Sequence, residues 1–400
     1  MKILIVTERY WPEVGAAPSR LANMAEGLKT EGCDVDVLTC LPNYPKGRIF
    51  DGYRGCVSRK EEHNGISIFR YWVKATVSKN PLARIMNMFS FAATMWLYAL
   101  KRGRIRQYDR IIIQTPSLVA ASSAMTIFKK LYGRKCVLNV SDLWPSTAVE
   151  MGAMKEGSRS YRFMAMLERY LYRNSDAIFG QSNEILDHVR SFGFAKPKLM
   201  LYRNLQHYEM GEGTKAKHTP VQIVYAGLLG VAQDILGIIK NVDFASLGAE
   251  FHLYGGGNQT KEIEEYIAAG TKNVHYHGFV DKSQVAAELS KYDASIVPLA
   301  VRITGAVPSK IFDLMPLGLP MLFCGGGEGA QIVKDYKIGF TSAPGDYNAL
   351  TDNIQRLAAL SPEEYSAMSQ NCLEAARTDF DFATQMHHTH TFLQKKKKKE

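Results

Sequence analysis

Short apolar runs recur along the chain, each followed by small or polar residues and then by a segment with helical spacing. Lys2-Ile3-Leu4-Ile5-Val6-Thr7 is apolar on both sides, as a central parallel strand is. Glu8 to Ala17 is a loop holding Trp11-Pro12-Glu13 and Gly15-Ala16-Ala17. From Ser19 to Thr30, Leu21, Met24, Ala25 and Leu28 recur with the period of an amphipathic helix, which Gly32 closes. Val35 to Thr39 is the next strand. Strand, small-residue loop, helix and strand make a βαβ unit, which places the loop at the carboxyl end of a parallel sheet. The loop lacks the GxGxxG spacing of a dinucleotide site.

The same alternation predicts strands at Gly65 to Trp72, Arg110 to Thr115, Lys135 to Val140, Ala177 to Gly180 and Leu199 to Asn204. The third of these leads into Ser141-Asp142-Leu143-Trp144-Pro145. His207 to Pro220 is polar and reads as a linker. The pattern then restarts, with strands at Val221 to Gly227, Glu250 to Tyr254, Val274 to Phe279 and Ala294 to Leu299, three of them running into glycines. The prediction is therefore two Rossmann-like domains facing across a cleft. The first spans 1–206 and the second 220–374, with a helix from about 375–393 packing back on the first.

Ile85 to Leu100 is the most apolar window. A sixteen-residue helix is roughly 24 Å long, short of the ~20 residues that cross a bilayer. Arg84 precedes it and Lys101, Arg102, Arg104 and Arg106 follow. Apolar and aromatic residues bracketed by cations suit a helix lying on an anionic membrane surface. A buried helix of the first domain is the other reading.

The 400-residue length favours two cores over one, and the 46% apolar content is that of a globular protein. Cys33, Cys40, Cys56, Cys136, Cys324 and Cys372 have no CxxC spacing, which suits a reducing compartment and argues against a disulfide framework or zinc finger. Met1-Lys2 runs straight into a strand-like segment, so no signal peptide is read. Of the net charge of +10, five charges come from Lys395 to Lys399. The remaining cations are dispersed and form no aromatic-interleaved patch, which disfavours a nucleic-acid partner.

The chemistry concentrates in Val307-Pro308-Ser309-Lys310-Ile311-Phe312-Asp313. Proline is tolerated in a first helical turn, and Ser309 is placed to satisfy that turn's free amides. Gly318 and Pro320 stop the helix, and Met321 to Cys324 is a strand followed by Gly325-Gly326-Gly327-Glu328-Gly329. Amides and a lysine attract phosphates, and Asp313 one turn on can accept hydrogen bonds from ribose hydroxyls. A capped surface helix is the alternative. No HExxH, DxD-type or Cys/His cluster is read as a metal site, and His275 and His277 are read as structural.

This layout resembles the retaining glycosyltransferases of family 4, which have the GT-B fold. The residues that carry the resemblance are Tyr10-Trp11-Pro12-Glu13, Asp142-Leu143-Trp144-Pro145, Ala226-Gly227 through Gln233, Gly278-Phe279-Val280, and Pro308-Ser309-Lys310-Ile311-Phe312 with Gly318-Leu319-Pro320. It looks closest to the bacterial branch that builds O-antigen and capsule repeats, including transferases of N-acetylated sugars such as N-acetylfucosamine. The resemblance implies a UDP-linked sugar donor in the second domain and a lipid-carrier-linked saccharide acceptor in the first. The enzyme would be cytoplasmic and peripheral on the inner face of the cytoplasmic membrane, touching it through residues 84–106.

By the same resemblance, Gly278, Phe279 and Val280 lie against the base, and Asp313 meets the ribose. Ser309 and Lys310 reach the phosphates, Gly227 counts among the donor-binding positions, and Gly15 with Ala16 closes on the diphosphate. Lys310 stabilises the leaving group, helped by Arg302 or Arg203. Asp142 orients acceptor or sugar, or caps a turn, and Glu328 meets sugar hydroxyls. No metal or other cofactor is implied. The family's E-x7-E motif is altered: Gly305 replaces the first glutamate and Asp313 the second. Two other readings stay open, a sugar-nucleotide epimerase of the same architecture and a non-catalytic sugar-nucleotide-binding subunit.

Overall fold

Isoleucine, leucine and valine runs with no polar alternation can be satisfied only where helices cover both sheet faces. In the computed structural model, which describes residues 1–78, 80–195, 197–211, 216–281 and 283–395, these runs are the central strands of two sheets. Lys396 to Lys399 of the lysine tail lie outside the described residues.

The first sheet has eight strands among the described residues. They are β1 (Lys2–Val6), β2 (Asp34–Cys40), β3 (Ser58–His63), β4 (Ile66–Tyr71), β5 (Arg110–Gln114), β6 (Cys136–Val140), β7 (Ala177–Gly180) and β8 (Lys198–Leu201), in the order β3-β4-β2-β1-β5-β6-β7-β8. All pairs are parallel except β3 with β4. The sequence Ser58-Arg59-Lys60-Glu61-Glu62-His63 has no apolar period, so β3 escapes a hydrophobicity reading; it is an edge strand held by pairing and by polar and ring contacts of Glu61 and His63.

The second sheet has six strands in the order β11-β10-β9-β12-β13-β14, all parallel. They are β9 (Val221–Leu228), β10 (Ala249–Gly256), β11 (Val274–Tyr276), β12 (Ala294–Pro298), β13 (Met321–Cys324) and β14 (Gly339–Ser342).

The chain divides into one unit of Met1–Asn204 with Phe382–Glu400 and another of Leu205–Asp381. The stretch read as a linker is tied to the second unit rather than free. The Lys217 ammonium donates to the carbonyls of Ala358 and Leu360 at 2.5 and 2.7 Å, and His218 bonds Asp293 at 2.8 Å. Residues 375–381 also stay with the second unit. The helix Pro362–Arg377 buries Tyr365, Cys372 and Leu373, and the Tyr365 hydroxyl donates to the Asp293 carbonyl at 2.9 Å.

The return to the first unit is the separate helix Phe382–Gln394. Met386 packs where a Cβ on Gly27 would stand 2.7 Å away, so only a residue without a side chain lets this helix approach the helix Ala16–Thr30. Gln385 clamps the Arg203 backbone from both sides, at 2.9 and 3.0 Å.

The apolar window at Ile85 to Leu100 is not one helix. A helix at Pro81–Thr94 is followed by a short turn at Trp96–Ala99, and the two readings of it each describe one face. Phe91, Met95 and Tyr98 are fully buried in the core, whereas Leu82, Ile85, Met86, Phe89, Trp96, Leu97 and Leu100 are exposed. Arg104 turns back to the protein, its guanidinium 4.5 Å from the Phe69 ring centre. No helix of the described residues is long and apolar enough to cross a membrane.

Candidate functional site

In the second unit the site is built around Tyr225, which lies in β9. Its hydroxyl is buried and donates to the Leu228 carbonyl at 2.7 Å, and burial pushes its acidity far out of range. The ring is left as a platform on which the Lys310 ammonium sits, 3.9 Å from the centroid, a cation–π placement. The lysine fits because residue 227 is glycine: a Cβ there would be 2.2 Å from Nζ.

Asp313 lies one turn beyond Lys310. Gln206 donates to its Oδ1 at 2.7 Å, and Tyr208 and Ser309 bond the same carboxyl. Burial is the largest influence on both ionisable groups. It brings Lys310 down to about 7 and lifts Asp313 to about 6, with their mutual attraction opposing each shift. The pair sits near the point of changing charge at neutral pH, where a bound anion can tip it.

Two expectations are corrected here. Ser309 does not cap the first turn with its side chain, which goes to Asp313 instead. The helix Lys310–Leu314 is five residues long and tightens at once into the turn Met315–Leu317. So short a segment sums few peptide dipoles, and anion attraction here rests on Lys310 itself. The Asp313 carboxyl, expected to be open to a ribose, already accepts from three side chains. Gln206 and Tyr208 fall in and beside the polar stretch read as a linker, and neither had a hydrophobic period to mark it.

The other predicted donor residues of this unit are placed as follows. Gly278, at φ +75°, turns the chain after β11, and its carbonyl accepts from Gly255 at 2.7 Å. Phe279 is 83% exposed, and the tip of its ring stands against Gly256, where a Cβ would meet Cζ at 2.4 Å. Val280 beside it is half-buried. An aromatic ring exposed to this extent is open to stacking on a planar group. Glu328 lies in the first turn of the helix Gly327–Asp335, and the Arg302 stem lies along neighbouring Gly326. Gly305 is buried at φ +80°. A glutamate there would be strained, so the missing first carboxylate is built into this loop's backbone.

The first unit carries Gly15, Ala16, Asp142 and Arg203. Gly15, at φ +146°, opens the helix Ala16–Thr30 at the carboxyl end of β1. Its backbone faces Tyr44, whose ring would stand 3.2 Å from a Cβ. The Tyr10-Trp11-Pro12-Glu13 motif is a brace. The buried Glu13 carboxylate accepts the amides of Asn43 and Tyr44 at 2.8 Å each, which binds the loop after β1 to the loop after β2.

Behind Ala16 lies a cavity of about 900 Å³ lined by Glu8, Arg9, Tyr44, Thr115, Trp144 and Met88 among others, within the size range of ligand sites. Glu8 inside it accepts from Ser117 at 2.6 Å, and burial raises its carboxyl above the usual range. A network under the floor joins Gln114 to Ser141 at 2.9 Å and Asn139 to Gln114 at 2.6 Å. Asp142 follows it at the carboxyl end of β6, close enough to act on the Arg20 guanidinium. Glu8, Ser117 and Gln114 were not singled out from the sequence; each is one polar residue at a strand end.

Residues 15–204 match the family described as the glycosyl transferase 4-like domain, and residues 222–359 match glycosyl transferases group 1. The chain belongs to the GT-B glycosyltransferases. It is 23% identical over 335 residues, 80% of the chain and 82% of the relative, to WcaI of Escherichia coli K12, assigned as a glycosyl transferase of colanic acid biosynthesis. Sucrose-phosphate synthase of Thermosynechococcus elongatus superposes with a TM-score of 0.71 at 16% identity, over 98% of both chains. Anabaena HepE, solved with UDP and glucose, gives 0.65 at 15% identity over 98% of this glycosyltransferase and 99% of HepE.

Proposed function

We propose that this glycosyltransferase is a retaining enzyme of polysaccharide assembly that moves a sugar, N-acetylated in our reading, from a UDP-linked donor to a lipid-carrier-linked saccharide. The observation that carries the donor side is the Lys310 ammonium, set on the Tyr225 ring beside Gly227 with its charge poised near neutrality. The anomeric C–O bond to the β-phosphate breaks, and UDP leaves with the bond's electron pair. Lys310 answers the developing negative charge in a partly desolvated place, where such an interaction is strongest. The acceptor hydroxyl bonds the anomeric carbon on the same face, and its proton passes to the departing phosphate oxygen. No metal cofactor takes part, and Phe279 stacks on the base. Support for UDP comes from HepE, and support for polysaccharide synthesis from WcaI.

Purified protein is expected to melt several degrees higher with millimolar UDP, by mass action, and to respond less to GDP, ADP and CMP. No shift with any nucleotide would leave the reading of a non-catalytic subunit, for which the glycine at 305 is the favouring feature.

The acceptor side rests on the first unit's large cavity, into which Arg84 and Met88 of the helix Pro81–Thr94 project. The exposed face of that helix, extended by Phe89 against Phe163 at 6.5 Å, offers apolar contact to a bilayer. Phe89→Gln with Trp96→Gln is expected to lower sedimentation with anionic vesicles several-fold while UDP binding stays the same. A fall in both would place those side chains in the folding core instead.

A further inference from the structure

At the edge of the second sheet, alternation along β10 puts Glu250 and His252 on one face, opposite the buried Phe251 and Leu253. Register sets Gln222 of β9 beside Glu250 and His275 of β11 beside His252. His277 follows on the same side. Gln222, Glu250 and His252 lie toward the amino ends of β9 and β10, whereas Gly227 and Gly255, at the Lys310 end, lie toward the carboxyl ends. His275 is the middle residue of β11, and His277 runs on into Gly278 and Phe279. The proposed ligands are none of the residues assigned to the donor, and the argument from their geometry does not use the transfer reaction.

The His252 and His275 Nε2 atoms stand 3.6 and 3.5 Å from Glu250 Oε2, and the three donor atoms lie within 4.8 Å of one another. Ligands ~2.0–2.1 Å from a tetrahedral zinc ion are themselves roughly 3.3 Å apart. Small rotations of the side chains would therefore close the set. His252 Nδ1 is 2.9 Å from His277 Nε2. Gln222 Oε1 is 2.8 Å from His252 Nε2 and can only accept, so without a metal ion Nε2 carries the proton and Nδ1 accepts from His277 Nε2. An ion on Nε2 takes the place of that proton, the Nδ1 proton then donates to His277 in the outer-sphere arrangement that fixes a ligand's tautomer, and Gln222 Oε1 is left at the fourth position.

The rings are stacked, with centroids of His252 and His275 at 4.8 Å and of His252 and His277 at 5.2 Å. Two imidazoles and a carboxylate are a donor set for zinc-class ions and a poor one for magnesium or calcium.

We propose that Glu250, His252 and His275 bind a divalent transition-metal ion of the zinc class, with Gln222 completing the site. The ion bridges three adjacent strands and fastens β11, a three-residue edge strand otherwise held by its pairing, the buried Val274 and the Tyr276 hydroxyl on the Gly255 carbonyl at 2.8 Å.

The test uses the full chain stripped of metal, with zinc affinity read by competition against a fluorescent chelator and stability by thermal melting. Wild type is expected to bind zinc, and at one hundred times Kd its Tm is expected to rise by roughly 5 °C, with magnesium inert. His275→Gln, at an exposed position that does not endanger folding, is expected to weaken zinc at least tenfold and abolish the Tm rise. His387→Gln controls for the other histidine group, where His387 and His390 stand 3.1 and 3.6 Å from Glu31, and is expected to change neither. Zinc affinity unaltered by His275→Gln, a Tm rise equally produced by magnesium, or no binding at all would overturn the proposal.

Discussion

Lys310→Ala is expected to weaken UDP binding at pH 7 by more than tenfold, about 1.4 kcal/mol or above. The variant removes the cation that sits over Tyr225 and leaves the surrounding fold intact, since the ammonium lies on the ring rather than under it. The same lysine gives a pH signature. Its folded-state value is about 7, far below that of a free lysine, with burial the main cause. The charged form, which binds the diphosphate, is therefore present below that value and lost as pH rises through it. Between pH 7 and 8.5 the wild-type Kd is expected to rise by roughly tenfold or slightly more, a range in which the diphosphate itself stays ionised. Lys310→Ala is expected to show no such rise. Calorimetric titration across that range decides the matter, and an unchanged Kd in the variant would remove Lys310 from the site.

The second large effect is on stability. Arg70→Ala is expected to destabilise the first unit by about 3 kcal/mol, as breaking a buried ion pair does. Arg70 is 1% exposed. Its guanidinium bonds the Glu61 carboxylate on β3, the Trp11 carbonyl, and the Cys40 carbonyl at 3.3 Å. Truncation leaves two backbone acceptors without their donor, and leaves the half-buried Glu61 carboxylate with only the Tyr53 hydroxyl at 3.0 Å and Arg59 at 3.5 Å. Arg70→Lys is expected to recover little, because an ammonium on a flexible stem cannot reproduce a planar fork with three partners. The urea midpoint of the first unit reports both; a loss under about 1 kcal/mol would mean that water replaces the clamp.

Arg70 also shows what a pattern reading can and cannot reach. The run Ile66 to Tyr71 is legible as a strand because β-branched and aromatic residues dominate it, but nothing in it says that Arg70, on the face of Ile66 and Ile68, is buried with them. The Trp11 loop and Glu61 of β3, which pairs with β4 edge to edge, supply its partners, and β3 is polar throughout. Two polar segments that satisfy one another leave no hydrophobic signal. The same holds for Gln206 and Tyr208, which complete the Lys310–Asp313 pair from a stretch with loop composition. By contrast, the short helix that carries Lys310 and Asp313 was legible as a helix, since Pro308-Ser309 before it and Gly318 after it bracket it. The central strands β1, β5, β6, β12 and β13 were legible for a stronger reason: a strand buried on both faces has no polar choice at most positions, whereas the edge strands β3 and β14 lack that constraint and were not read.

The helix Phe382–Gln394 has a consequence for biosynthesis. It buries Met386 and Leu393 in the first unit, between Gly27 and Tyr202, yet it follows the whole second unit in the chain. While residues 205–381 are being translated, roughly ten seconds or more, the first unit exposes an apolar groove along the helix Ala16–Thr30 on the ribosome. The nascent chain can complete that unit only after the helix Phe382–Gln394 emerges, and until then the groove is a surface for chaperones to hold.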